Sequence, residues 1–136
     1  MQLAVAPEWS RRRVKGRTSE RQNMLDDTDR QIITTVLDAF CEARVPIMVR
    51  DKVVLQYRIH RHDVVLFERR PRFTNPAQWT ESAVAKFRLN KTTGTWSLLW
   101  RDRNSRWHRY ERCGPAPDLE TLVKEVDADP TGIFWG

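Results

Sequence analysis

Glycine and cysteine are scarce in this chain, five and two among 136 residues. Five scattered glycines build neither a phosphate-cradling loop nor a dinucleotide fingerprint, both of which need glycine at fixed, close spacing. The two cysteines, Cys41 and Cys113, are too few for a secreted disulfide scaffold and lack the paired spacing of a zinc site. Cys41 falls in an apolar helical run and reads as a small core residue, while Cys113 sits beside Gly114 in a turn. No apolar run approaches the ~20 residues of a membrane span. The opening order, apolar residues 3–7 followed by bases, is the reverse of a signal peptide. Serine and cysteine nucleophile motifs are absent as well. The expectation is a cytoplasmic protein with no membrane partner, no cofactor and no metal.

Tryptophan and positive charge are abundant. Six tryptophans in so short a chain mean either a heavy core or a stacking surface, since indole buries a large area and wants a partner for its N–H. The net charge of +6 is unevenly spread. Residues 50–112 carry 15 Lys/Arg against 6 Asp/Glu, a net of +9, whereas residues 113–136 carry 1 against 5. An anionic partner for the middle of the chain is the functional expectation, and a solvated face that keeps the protein soluble is the plain one. Residues 10–23 are basic and aperiodic, so 1–23 is expected to be a disordered tail and 24–136 a single α+β domain.

The apolar period then sets the elements. Thr28 and Gln31 fit a capping box, and Ile32, Ile33, Val36, Leu37 and Phe40 form the stripe of a helix over 29–44, closed by Pro46. From Lys52 the period becomes two: Val53, Leu55, Tyr57 and Ile59 alternate with Val54, Gln56, Arg58 and His60. Further strands are expected over 64–69, 84–90, 95–102 and 106–112, with 71–82 a loop because of its two prolines. Asp118 is an N-cap for a second helix with the stripe Leu119, Leu122, Val123 and Val126. The expected architecture is a five-stranded antiparallel meander with an N-terminal and a C-terminal helix packed on one face, in the order α-β-β-β-β-β-α.

Residues 82–136 carry a resemblance. Trp96 and Trp100 in one strand, Trp107, His108 and Tyr110 in the next, and Asp127, Asp129, Gly132, Phe134, Trp135 and Gly136 at the end form a set of motifs. Together with the FERRPRF stretch from Phe67 to Phe73, they resemble the bacterial family called domain of unknown function 3024, over about 24–136. Arg106 stands where that family usually has Lys, and the first hairpin turn lacks its usual Gly. The resemblance implies a fold and a boundary, and implies no activity.

Three places could carry chemistry. If Tyr57, Phe87 and Trp96 face the helices, alternation puts Arg58, Lys86, Arg88 and Arg101 on the other side of the sheet, extended by Arg103 and Arg106 and by Arg69 or Arg70. Cations for phosphates with rings for bases are what single-stranded nucleic-acid binders use, so DNA or RNA is the leading partner. A protein partner reached through exposed aromatics, as monomer or homodimer, is the alternative. A catalytic reading would combine Glu68, Lys86 and His108 to activate a water or hold a metal with a phosphodiester, against a structural one in which Glu68 pairs across the sheet. His60 and His62 flank Arg61 in a turn, without a third metal ligand nearby. The terminal Asp127 and Asp129 read as helix-ending residues beside a Phe134–Trp135 plug. The alternation of the tryptophans with Leu98 and the aliphatic strands favours core packing for them, leaving function to the arginines opposite.

Overall fold

The structure, a computed structural model, describes residues 24–135; the tail expected over 1–23 lies outside the described residues. Helix α1 (Asp27–Arg44) begins two residues before the expected start. Its reciprocal cap is built from Asp26 and Asp29 rather than from Thr28 and Gln31. The Asp26 carboxylate accepts the Asp29 N–H at 2.8 Å, and the Asp29 carboxylate accepts the Asp26 N–H at 3.1 Å. Two carboxylates at a helix N-terminus suit its positive dipole end. Lys91 Nζ, distant in sequence, clamps both at 2.8 Å. Ile33 and Leu37 are fully buried, but Ile32, expected on the same stripe, is 44% exposed. A 3-10 turn (Ile47–Val49) follows Pro46.

Five strands follow: β1 (Val54–His60), β2 (Asp63–Pro71), β3 (Trp79–Asn90), β4 (Thr95–Arg101) and β5 (Trp107–Arg109). They pair antiparallel in chain order, β1 and β5 at the edges. The α+β meander is therefore as expected, with one correction between β2 and β3. Residues 79–82, assigned to a loop, are strand: Pro71 pairs with Trp79, and the Arg72 N–H donates to the Gln78 carbonyl at 2.7 Å. Pro71 misled because a proline is tolerated at the end of a strand. The result is a hairpin longer than its neighbours. β5 is shorter than expected, ending at Arg109, although the Tyr110 N–H still reaches the Leu98 carbonyl at 2.8 Å.

Alternation along the strands sends Leu55, Leu66, Ala85, Phe87, Leu89, Trp96 and Leu98 to one face, all buried. A bulge opposite Leu66 and Phe67 lets Val84 join them without breaking the alternation on either side. Helix α2 (Leu119–Ala128) packs on this face through Leu119, Leu122, Val123 and Val126, beside Ile33 and Leu37 of α1. As expected, Asp118 caps it, accepting the Thr121 N–H at 2.8 Å. The approach to α2 needs Gly114: its φ is +103°, and a Cβ there would press on the Leu122 side chain at 3.3 Å.

Past α2 the chain turns at Asp129, whose carboxylate accepts the N–H groups of Phe134 and Trp135 at 3.2 and 2.9 Å. Trp135 donates its indole N–H to the Val126 carbonyl at 2.7 Å. Phe134 is buried against Tyr110, ring centroids 5.0 Å apart. Arg44 of α1 lies 3.9 Å above the Trp135 ring and bonds Asp127 at 2.7 Å. The terminal aromatics thus tie the two helices together. Phe134→Ala should cost about 3 kcal/mol in urea unfolding; a loss below a third of that would mean the plug is peripheral.

The cap of α1 sets an acid limit. The hydrogen bond from Lys91, and then the Asp29 N–H, hold the Asp26 carboxyl down to about 2 from its usual 3.8. A folded pKa below the unfolded one stabilises the fold above pH ~4 and is lost as pH falls toward ~2. Stability measured by denaturant titration should fall across that window, and Asp26→Asn, which still caps, should show a shallower fall.

Candidate functional site

The strand registers define the second face. Arg58, Val65, Lys86, Leu99 and Arg109 are successive cross-strand partners, one row across all five strands. Neighbouring rows on the same side bring together Asp63, Arg88 and Ser97; Phe67 and Ala83; and Arg101 with Trp107. Among the described residues no helix covers this outer face. Its composition follows from that exposure, because a wet sheet face needs polar side chains.

Several of its cations are balanced. Arg88 binds Asp63 with two nitrogens, Nε at 2.8 Å and Nη2 at 3.1 Å, and Lys86 Nζ lies 3.9 Å from the same carboxylate. Burial lowers the Lys86 pKa, with Asp63 opposing the shift. Arg58 reaches Glu81 at 3.1 Å. Arg101, Arg103 and Arg106 have no carboxylate within ion-pair distance among the described residues. Arg109 donates to Ser97 Oγ at 3.0 Å.

Every aromatic ring on this face has a cation above it. Arg58 sits 4.6 Å from the Phe67 centroid and Arg69 5.9 Å from Trp79. Lys86 and Arg101 lie 4.6 and 5.8 Å from Trp107. The Nε of Arg69 is buried without a hydrogen-bond partner. Phe67 is buried, but Trp107 is half-exposed and Trp79 is 37% exposed. Of the three tryptophans considered in the sequence, Trp96 is core and Trp100 half-buried on the helix side. Trp107 is on the basic face. Trp79, Arg109 and Asp63 join the face although sequence reasoning did not place them there. Trp79 had been assigned to a loop; the alternation Trp107–Arg109 was the available signal for Arg109. Arg70 points to the opposite side from Arg69 and pairs with Glu68 at 3.3 Å.

Glu68, Lys86 and His108 are not brought together. Lys86 is on the outer face, and alternation places Glu68 and His108 on the other. His108 stacks on Trp100, ring centroids 4.6 Å apart, and its Nε2 lies 2.6 Å from Asp102 Oδ2. That contact, with the Arg106 and Asn104 N–H groups, lowers the Asp102 pKa. His62 lies 3.7 Å from Asp63, and no group of three or more His, Cys, Asp or Glu able to hold a metal occurs among the described residues. A groove of about 750 Å³ follows the open edge of β1 against α1, lined by Asp38 and Glu42 as well as Arg50 and Arg58. Burial pushes the Cys41 thiol in its wall up to about 11, so it stays protonated at neutral pH.

An open antiparallel sheet with two helices on one face and a basic, ring-studded other face defines an α+β module. The model of the family described as domain of unknown function 3024 matches residues 25–136, and the chain belongs to that family. No curated protein and no solved structure matches it. No described helix is long and apolar enough to cross a membrane.

Asp63 is the carboxylate that Arg88 and Lys86 share on this face. Asp63→Ala leaves Arg88 and Lys86 crowded without a counter-charge and should destabilise the fold by about 1–2 kcal/mol. An unchanged urea midpoint would show that solvent screens the pair completely.

Proposed function

We propose that this domain binds nucleic acid, without catalysis, through the outer face of its sheet. The observation that carries the reading is the interleaving of Arg69, Arg58, Lys86 and Arg101 with the rings of Trp79, Phe67 and Trp107 on a face that no described helix covers. A face charged only for solubility has no use for half-exposed indoles, which cost more to hydrate than a lysine or threonine would. Rings beside guanidinium groups are suited to bases and phosphates together, each stacked base contributing about 1–3 kcal/mol. The three unbalanced arginines at the β4–β5 end supply the charge that the paired ones do not.

The test is a titration of labelled single- and double-stranded DNA and RNA. Binding at micromolar Kd or tighter is expected at about 50 mM salt, falling steeply toward about 200 mM as released counterions are opposed. No binding to any of the four at the lower salt overturns the reading. One observation favours a second reading, a protein contact: Phe73 is fully exposed in the turn between β2 and β3. A pull-down that returns one specific protein, lost in Phe73→Ala, together with no nucleic-acid binding, would establish it. Glu68, Lys86 and His108 diverge, so no hydrolytic role is proposed.

A further inference from the structure

We infer that the cleft where β3 and β4 part is a phosphate subsite for a single-stranded ligand whose adjoining base stacks on Trp107. This rests on the nucleic-acid reading above and specifies its ligand.

The cleft follows from strand length. β3 is 12 residues long and β4 is 7, and their pairing ends at Lys86 and Leu99. Before that point, Ala83, Ser82 and Glu81 pair only with β2, while β4 runs on with β5. The strands diverge and leave a polar opening of about 370 Å³ between Glu81, Ser82 and Ala83 on one side and Arg101, Asp102, Arg103 and Ser105 on the other.

Two acids border this opening, and both are engaged elsewhere. Glu81 is held by Arg58, at 3.1 Å. One oxygen of Asp102 takes the N–H groups of Asn104 and Arg106 at 2.8 and 3.0 Å, and the other faces His108 at 2.6 Å. Arg101 and Arg103 have no such carboxylate partner among the described residues. Arg101 and Arg103, with Ser105 beside them, therefore line the cleft without a carboxylate partner of their own among the described residues, and such a pair of guanidinium groups is suited to a tetrahedral oxyanion.

Arg101 connects this opening to the ring. It is the direct cross-strand partner of Trp107 and lies 5.8 Å from its centroid. A phosphate on Arg101 and Arg103 places the attached nucleotide beside Trp107, with Lys86 at the same ring. A base can lie on an indole only if it has left its own stack. Single strands offer such bases and duplexes do not, so the pairing of cleft and ring selects single strands.

The experiment uses the full chain and fluorescence anisotropy with a labelled oligothymidylate of about twelve nucleotides, a length within the range of known single-strand-binding domains. The same-length duplex is the competitor. Wild type should prefer the single strand by about tenfold or more, the value of one stacked base. Arg103→Ala, in an exposed turn, should weaken binding about tenfold and reduce the salt slope by about 0.7, the value of one phosphate on a single strand. Trp107→Leu should remove the single-strand preference. Arg30→Ala, an equal loss of charge on α1, should change Kd less than twofold, and melting curves confirm that each variant is folded. Equal losses for Arg103→Ala and Arg30→Ala, or equal affinity of wild type for duplex and single strand, overturn the subsite while leaving nucleic-acid binding in place. No binding by wild type overturns both readings.

Discussion

The packing of α1 and α2 onto the same face of the sheet is the contact on which the other features depend. Ile33 and Leu37 from one helix and Leu122 and Val126 from the other lie against Leu66, Phe87 and Leu98, all of them fully or nearly fully buried. Burying a large aliphatic or aromatic side chain yields about 1.5–3 kcal/mol, and the inner face concentrates this gain in one layer. The terminal Phe134 and Trp135 close the gap between the helices, and Arg44 reaches across from α1 to both Trp135 and Asp127. Because α1 and α2 both lie on one side, no described helix covers the other side of the sheet.

That asymmetry accounts for the charge distribution. Of the bases between residues 50 and 112, Arg58, Arg69, Lys86, Arg88, Arg101 and Arg109 occupy the alternate strand positions that do not face the helices. Two acids, Asp63 and Glu81, relieve part of the repulsion by pairing with Arg88 and Arg58. Rings add to this: the cations beside Phe67, Trp79 and Trp107 are attracted to the negative faces of the aromatic systems. Toward the β4–β5 hairpin neither device is applied to Arg103 or Arg106 among the described residues. The partially relieved charge and the divergence of β3 from β4 occur at the same end of the sheet.

Most of the architecture was legible in the alternation of apolar residues, because a strand with one dry face writes its period directly into the chain. Leu55, Tyr57 and Ile59, and Ala85, Phe87 and Leu89, turned out on the face where their spacing put them. The second helix and its Asp118 cap were equally plain, since both depend on residues within one turn. The cap of α1 was misplaced because Asp26 and Asp29 form a reciprocal box two residues before the one that Thr28 and Gln31 suggest, and Lys91, far along the chain, binds both of its carboxylates. The start of β3 was misplaced because Pro71 and Pro76 suggest a break, whereas one ends a strand and the other lies in a tight turn. The basic face was legible in outline, residue by residue for Arg58, Lys86, Arg88 and Arg101, but Trp107 was grouped with the core.

The six tryptophans, and the side of the sheet each one takes, mark the boundary between the two sources of information. The sequence by itself determined the α+β class, the antiparallel meander, the family and the sign of the surface charge, since periodicity, turn chemistry and composition act locally. Only the tertiary structure decided that Trp96 enters the core while Trp107 turns outward beneath Lys86 and Arg101. It also decided that Lys86 lies across the sheet from Glu68 and His108, and that β3 and β4 part to leave Arg101 and Arg103 lining a cleft. Those outcomes depend on register and strand length, which are set by the pairing of distant segments, and a shift of one residue would have sent each of these side chains to the opposite face.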